Sequence, residues 1–313
     1  MMLASRDTVV AAILDFLGRG DLLPLDEVRA ALEHEIDAAG PDALVSLKER
    51  LAADAGWAYY PPDPLARGLH HLLADRFLER GSTVVGLPAL DALGPGPLTI
   101  FANHLSYADA NVVDVLLERA GAGVLARRLT AIAGPKVFTS RARRFSSLCF
   151  GTIKVPQSAE VSSGEAQLNA RELARAARQA IDVALGRLDA GDALLLFGEG
   201  TRSRTASMQP MLSGVARYLD RPGTWVLPAG LTGPESLFPV DSASVHPARI
   251  TMRIGRPIRA AELLGHAGGN RRDTVDAIGL AVAELLPMSY RGAYADAARF
   301  PSAAAALSRT RQS

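Results

Sequence analysis

The spacing of apolar residues changes character near residue 81. Upstream, apolar positions recur every three or four residues. Val9, Ile13, Phe16 and Leu17 form such a stripe after Ser5, which is suited to capping a helix start, and the stripe ends near Gly18. LPLDEVRAALEHEIDAAG repeats the period, with Pro24 near its start and Gly40 past its end. PDALVSLKERLAADAG and DPLARGLHHLLADRFLERG read as a third and a fourth helix. WAYYPP between them reads as a turn in which aromatic side chains pack.

From residue 82 the apolar runs are short and partly β-branched: STVVG, PLTIFA, RLTAIA, GTIKVP, DALLLFG, TWVLPAG and RITMRIG. Helical stretches at about 107–120, 136–148, 164–190 and 207–220 separate most of them. Strand alternating with helix predicts a largely parallel sheet covered on both faces. RAAELL and RDTVDAIGLAVAELL read as helices after Gly255, followed by an Ala-rich tail. The expected fold is therefore α/β, a largely parallel central sheet with helices on both faces, preceded by a small N-terminal helical domain. The expected division is 1–80, 81–290 and a tail at 291–313.

Composition narrows the classes. The chain has 313 residues, of which 48% are hydrophobic. No apolar run is long enough for a spanning helix. The N-terminal apolar stretch is short and flanked by Asp7 and Asp15, so it is not expected to be a signal peptide. The single cysteine, Cys149, excludes an internal disulfide and a Cys-based zinc site, which makes the cytoplasm the default compartment. A net charge of +1 gives no reason to expect a nucleic-acid partner.

Candidate chemistry gathers where two predicted strands end. PLTIFA runs into NHLSYAD, so Asn103 and His104 stand at the carboxyl edge of the sheet, where open α/β folds bind ligands. With the next helix starting around Ser106, Asp109 falls in its second turn. Its carboxylate would accept from one imidazole nitrogen and leave the other as a base toward a hydroxyl. The alternative is an exposed loop histidine and an aspartate that merely favours the helix dipole. His70 and Asp75 share the spacing inside a predicted helix, where five residues turn through about 140° and the two do not face each other.

The second constellation is LLLFGEGTRSRT at 194–205. Its glycines let a ligand approach the backbone closely. Arg202 and Arg204 carry planar forks suited to phosphate or carboxylate. Glu199 is placed to hold an arginine or to orient the loop; the alternative is a charged surface turn. No GxxxxGK[ST] is present. In CFGTIKVPQ, Lys154 is either the outward-facing member of a strand or a second cation for an acceptor site. Pro228 reads as a strand terminator, and RARR at 141–144 as a solvated face or a contact for anionic lipid head groups. The absence of GxSxG argues against a serine hydrolase, although Ser106 is near His104.

Together these pieces resemble the glycerolipid acyltransferase family typified by 1-acylglycerol-3-phosphate acyltransferase. The family's NHxxxxD is met by Asn103, His104 and Asp109, and its FPEGTRS by residues 197–203 with Gly198 in place of proline. Val226-Leu227-Pro228 matches its apolar strand ending in proline. The resemblance spans about residues 82–255. One departure stands in its second motif, where Gln157 takes the place of the arginine that helps hold the acceptor. The resemblance implies an O-acyltransferase of phospholipid synthesis, with His104 and Asp109 catalytic. Asn103, Ser106, Lys154, Glu199, Gly200, Thr201, Arg202, Ser203 and Arg204 are then the substrate-binding set.

The acyl donor would be a thioester of coenzyme A or acyl carrier protein, and no metal or organic cofactor is needed. Backbone N–H groups near a helix start are expected to receive the oxyanion. The acceptor is read as lysophosphatidate-like; glycerol 3-phosphate or another polar-lipid hydroxyl is the alternative. A thioester or lipid hydrolase and a non-catalytic lipid-binding module are the further alternatives. Contact with membrane lipids is expected to be peripheral, at the inner face.

Overall fold

Among the described residues nine strands carry the architecture: β1 (Tyr59–Tyr60), β2 (Thr83–Val85), β3 (Leu98–Ala102), β4 (Leu129–Ala133), β5 (Gly151–Lys154), β6 (Ala193–Phe197), β7 (Trp225–Thr232), β8 (Thr251–Ile254) and β9 (Ile258–Arg259). The structure, a computed structural model, describes residues 5–18, 25–139, 141–156, 169–240 and 244–312. The strands form one sheet in the order β1-β5-β4-β6-β3-β7-β8-β2, with β9 paired to β7. Pairing from β5 through β7 is parallel, as is β2 with β8; β1, β8 and β9 pair antiparallel with β5, β7 and β7. This is a mixed α/β fold with a large, mostly parallel sheet.

The two faces of the sheet carry two cores. Successive side chains on a strand point to opposite faces. Leu98, Ile100 and Ala102 of β3 accordingly lie in one buried cluster and Phe101 in the other. Helices cover both faces. The first cluster takes in α1 (Arg6–Gly18), α2 (Leu25–Ala39), α3 (Pro41–Ala52), α4 (Pro64–Phe77) and α5 (Asp109–Arg119). The second takes in the helices Ala170–Asp189, Arg271–Glu284 and Pro301–Gln312. The N-terminal helices thus share a hydrophobic core with the sheet. Among the described residues no helix is long and apolar enough to cross a membrane.

Several elements differ from the sequence reading. WAYYPP is not only a turn: Tyr59 and Tyr60 add an edge strand against Ile153 and Thr152. Pro228 does not end its strand. β7 continues to Thr232, and the Pro228 carbonyl accepts from Gly255 N–H at 2.9 Å. The helix expected at 207–220 is the single 3₁₀ stretch Ser213–Leu219. α5 starts at Asp109 rather than Ser106, because Asp109 and Ser106 spend their side chains on the turn before it. Gln157 lies outside the described residues.

Candidate active site

β3 lies between β6 and β7, so its carboxyl end is flanked by the ends of two later strands. Asn103, the first residue past β3, is fully buried. Its Nδ2 donates to the Leu231 carbonyl at 3.0 Å and its Oδ1 accepts from Leu231 N–H at 2.7 Å. Both halves of the amide are therefore committed to β7. Asn103 pins the strand end, and its amide N–H and C=O are both engaged there.

The loop at 199–203 grips His104 by its backbone. His104 N–H donates to Glu199 Oε1 at 2.7 Å, and Ser203 N–H donates to the His104 carbonyl at 2.8 Å. Glu199 Oε2 accepts from Gln209 N–H at 2.6 Å. Glu199 holds no arginine; it ties three chain segments together through backbone donors. Burial pushes its carboxyl up to about 7, against the lowering effect of those two N–H bonds. The His104 ring stacks on Phe197, with centroids 4.5 Å apart.

Asp109 reaches His104. Its Oδ2 accepts from His104 Nδ1 at 2.8 Å, and also from Leu105 N–H at 2.7 Å and Ser106 N–H at 3.0 Å. A carboxylate oxygen with three donors is an anion, so Nδ1 carries the proton and the Nε2 lone pair is free. The Asp109 side chain is fully buried, while that of His104 is 18% exposed. Asp109 Oδ1 is buried and accepts no hydrogen bond. The pair can take a proton from a hydroxyl at Nε2 and hold the resulting imidazolium against a buried charge.

Other residues of the expected set fall elsewhere. Ser106 is fully buried and its Oγ accepts from Ala108 N–H, so it shapes the turn. The amides of Leu105, Ser106, Ala108 and Asp109 are all committed within the loop, so none of them is free to receive an oxyanion. Ser203 is buried and its Oγ accepts from Thr205 N–H. Gly200, Thr201 and Arg204 are exposed at the loop. Gly200 adopts φ +70°, and a Cβ there would stand 2.4 Å from Leu212 Cδ1.

Lys154 stands three strands from β3, roughly 14 Å at ordinary strand spacing. Its Nζ lies 3.5 Å from Asp54 Oδ1, beside the rings of Trp57 and Phe138. It is not brought to His104. Arg202 is brought close: its guanidinium lies 4.2 Å from the centroid of the Tyr107 ring, and its Nη2 donates to the Val240 carbonyl. Tyr107, Phe197 and the backbone of Leu231 were not among the expected site residues. Tyr107 and Phe197 do fall inside the two motifs, and an aromatic next to each was the available signal.

Gly198 has a local reason. A Cβ at 198 would stand 2.7 Å from Met211 Sδ, so the side chain of Met211 fills the space a proline ring would use. The other histidines do not repeat the site. Asp75 is exposed and pairs with Arg119 rather than His70. His71 does meet Asp114, at 2.7 Å, but Arg67 also pairs with Asp114 and Glu118. That contact is a neutralised charge network beside a cavity of about 390 Å³ lined by Pro62, Arg67, Cys149 and Phe150.

Comparison with known proteins adds a family-model match over just under half of the chain. Residues 84–232 match the family model described as Acyltransferase. That span runs from within β2 to the end of β7 and contains every residue of the His104 site except those after Thr232. No curated protein sequence matches. Among solved structures, a similarity reaches the 1-acyl-sn-glycerophosphate (LPA) acyltransferase PlsC from Thermotoga maritima. The identity is 18% and the TM-score 0.39, over 79% of this chain and 80% of that one, too distant to carry a conclusion.

Proposed function

We propose that this chain, a member of the acyltransferase family over residues 84–232, moves a fatty acyl group from a thioester to the hydroxyl of a lysophosphatidate-like acceptor. The observation that carries the reading is His104. Its ring is fixed by Asp109 at Nδ1 and by Phe197 on one face, its backbone is gripped by Glu199 and Ser203, and Nε2 makes no hydrogen bond among the described residues.

In the reaction, Nε2 takes the proton of the acceptor hydroxyl as its oxygen attacks the thioester carbonyl. The C–O bond forms, a tetrahedral oxyanion follows, and its collapse breaks the C–S bond. The departing thiolate takes the proton back from Nε2. His104 ends as it began, and no acyl group is attached to the protein. The Asp109 charge stabilises the imidazolium between the two proton transfers. Arg202 supports an anionic acceptor, because its guanidinium sits over Tyr107 in the same turn as His104. The donor is a thioester of coenzyme A or acyl carrier protein, and an acceptor of this class implies contact with the membrane surface at its cytoplasmic face.

The test is release of free thiol from palmitoyl thioesters on both carriers. Lysophosphatidate, glycerol 3-phosphate or no acceptor is supplied to the parent protein and to His104→Ala. The expected result is release that depends on an acceptor and falls by about 10² or more in the variant. Release without any acceptor would make the protein a hydrolase. No release with any pair, together with lipid binding that survives His104→Ala, would make it a binding module.

A further inference from the structure

We infer that Arg143 is a specificity-determining residue for the acceptor: with Arg202 and the Tyr107 ring it forms a seat for a phosphate monoester, an inference that rests on the transfer reaction proposed above. Arg143 comes from the helix Arg141–Ser147, far in sequence from both motifs. Its guanidinium nevertheless lies 5.3 Å from the centroid of the Tyr107 ring that Arg202 approaches to 4.2 Å. The two cations are thus no farther apart than the sum of those distances. Tyr107 is three residues from His104, so they share the turn that carries the base.

Each cation is incompletely satisfied. Arg202 Nη1 and Arg143 Nε are buried nitrogens with no hydrogen-bond partner. Arg202 spends Nη2 on the Val240 carbonyl, and Arg143 spends Nη2 on Thr139 Oγ1 one turn back. Among the described residues neither makes an ion pair, and the two carboxylates of the site are occupied: Asp109 by His104 and the loop amides, Glu199 by the amides of His104 and Gln209. Buried donors without acceptors, on like charges that share one ring, are relieved together by an anion. A phosphate monoester carries close to two charges and three terminal oxygens, enough for two guanidinium forks at once. A diester or a carboxylate offers one charge and fits less well. Lys154, tied to Asp54 three strands away, is not available to this seat.

Two arms test it. In the first, glycerol 3-phosphate and inorganic phosphate are titrated calorimetrically into the parent protein, Arg143→Gln, Arg143→Lys and Arg202→Gln. The expected result is binding of both ligands by the parent, weakened roughly 10-fold or more in Arg143→Gln and partly restored in Arg143→Lys. In the second, kcat/KM is compared for lysophosphatidate and for the monoacylglycerol that lacks its phosphate. The ratio is expected to fall about 10-fold in Arg143→Gln, through KM for the phosphorylated acceptor.

No binding by the parent, equal binding by parent and Arg143→Gln, or an unchanged selectivity ratio would overturn the inference. So would a variant that loses only its co-sedimentation with phosphatidylglycerol vesicles, since Arg143 would then serve the lipid surface. Arg143-dependent binding without acyl transfer to any acceptor would uphold the seat and remove the transferase reading instead. Circular dichroism controls for folding.

Discussion

Asp109→Asn separates charge from geometry at this site. All three donors to Asp109 converge on Oδ2, and Oδ1 accepts none. An asparagine that places its oxygen at the Oδ2 position keeps every hydrogen bond, including the one that fixes the His104 tautomer. The NH₂ then occupies the buried Oδ1 position and finds no acceptor, which costs about 1–3 kcal/mol of stability. What is lost in catalysis is the charge. With charge centres about 4 Å apart and an effective dielectric constant near 20, the imidazolium forfeits about 4 kcal/mol. That corresponds to a fall in kcat of roughly 10³. Single-turnover acyl transfer gives the rate, and urea unfolding gives the stability of the same samples. The Asp109 charge also helps push Glu199 upward, so the Glu199 carboxyl should titrate lower in the variant. A variant within tenfold of the parent in kcat, and folded, would refute the claim that the charge of Asp109 works on His104.

Three other outcomes are expected. The Glu199 carboxyl stands at about 7 in the folded chain against 4.5 unfolded, so its contribution to stability is full below 4.5 and is lost as pH rises through 7. It amounts to about 3 kcal/mol. Urea unfolding of the parent and Glu199→Gln between pH 4.5 and 8 checks this, and parallel curves would count against it. Asn103→Ala strands a buried N–H and a buried C=O of Leu231 and should lower unfolding free energy by about 2–4 kcal/mol, which chemical denaturation measures. Gly198→Pro restores the family's residue but drives its ring into Met211, so a loss of about 1–3 kcal/mol is expected, part of it regained with Met211→Ala. Thermal melts of the single and double variants decide; an unchanged single variant would show that Met211 moves aside freely.

The sequence carried the sheet and the His104–Asp109 pair because both are local. Alternating apolar strands and helices have their own period, and a strand that ends in histidine with aspartate five residues on leaves little freedom for where the two can point. It did not reveal which motif residues face outward. Asn103 and Ser106 sit beside His104 in the chain, yet one turns inward to β7 and the other closes the turn, because a buried strand end needs those polar groups for its own backbone. Lys154 stands apart for the opposite reason: it shares the sheet edge with His104, but strand order sets it three strands aside. Arg143 was legible only as part of the basic run RARR, a solvated face or a lipid contact, and not as a neighbour of Arg202. Its neighbourhood with Arg202 exists only once the helix Arg141–Ser147 has packed over Tyr107.

The position of β3 has a consequence for how the protein is made. Both of its neighbours, β6 and β7, lie later in the chain, and the clasp on Asn103 waits for Leu231. A ribosome moving at about 5–20 residues per second leaves this fully buried strand unpaired for on the order of ten seconds. During that time the segment from Leu98 to Ala102 is a naked edge without a partner upstream, the kind of surface that chaperones cover and that other nascent chains can seize. Expression yield should therefore depend on translation speed between residues 103 and 231 and on holding capacity in the host, more than on the stability of the finished fold.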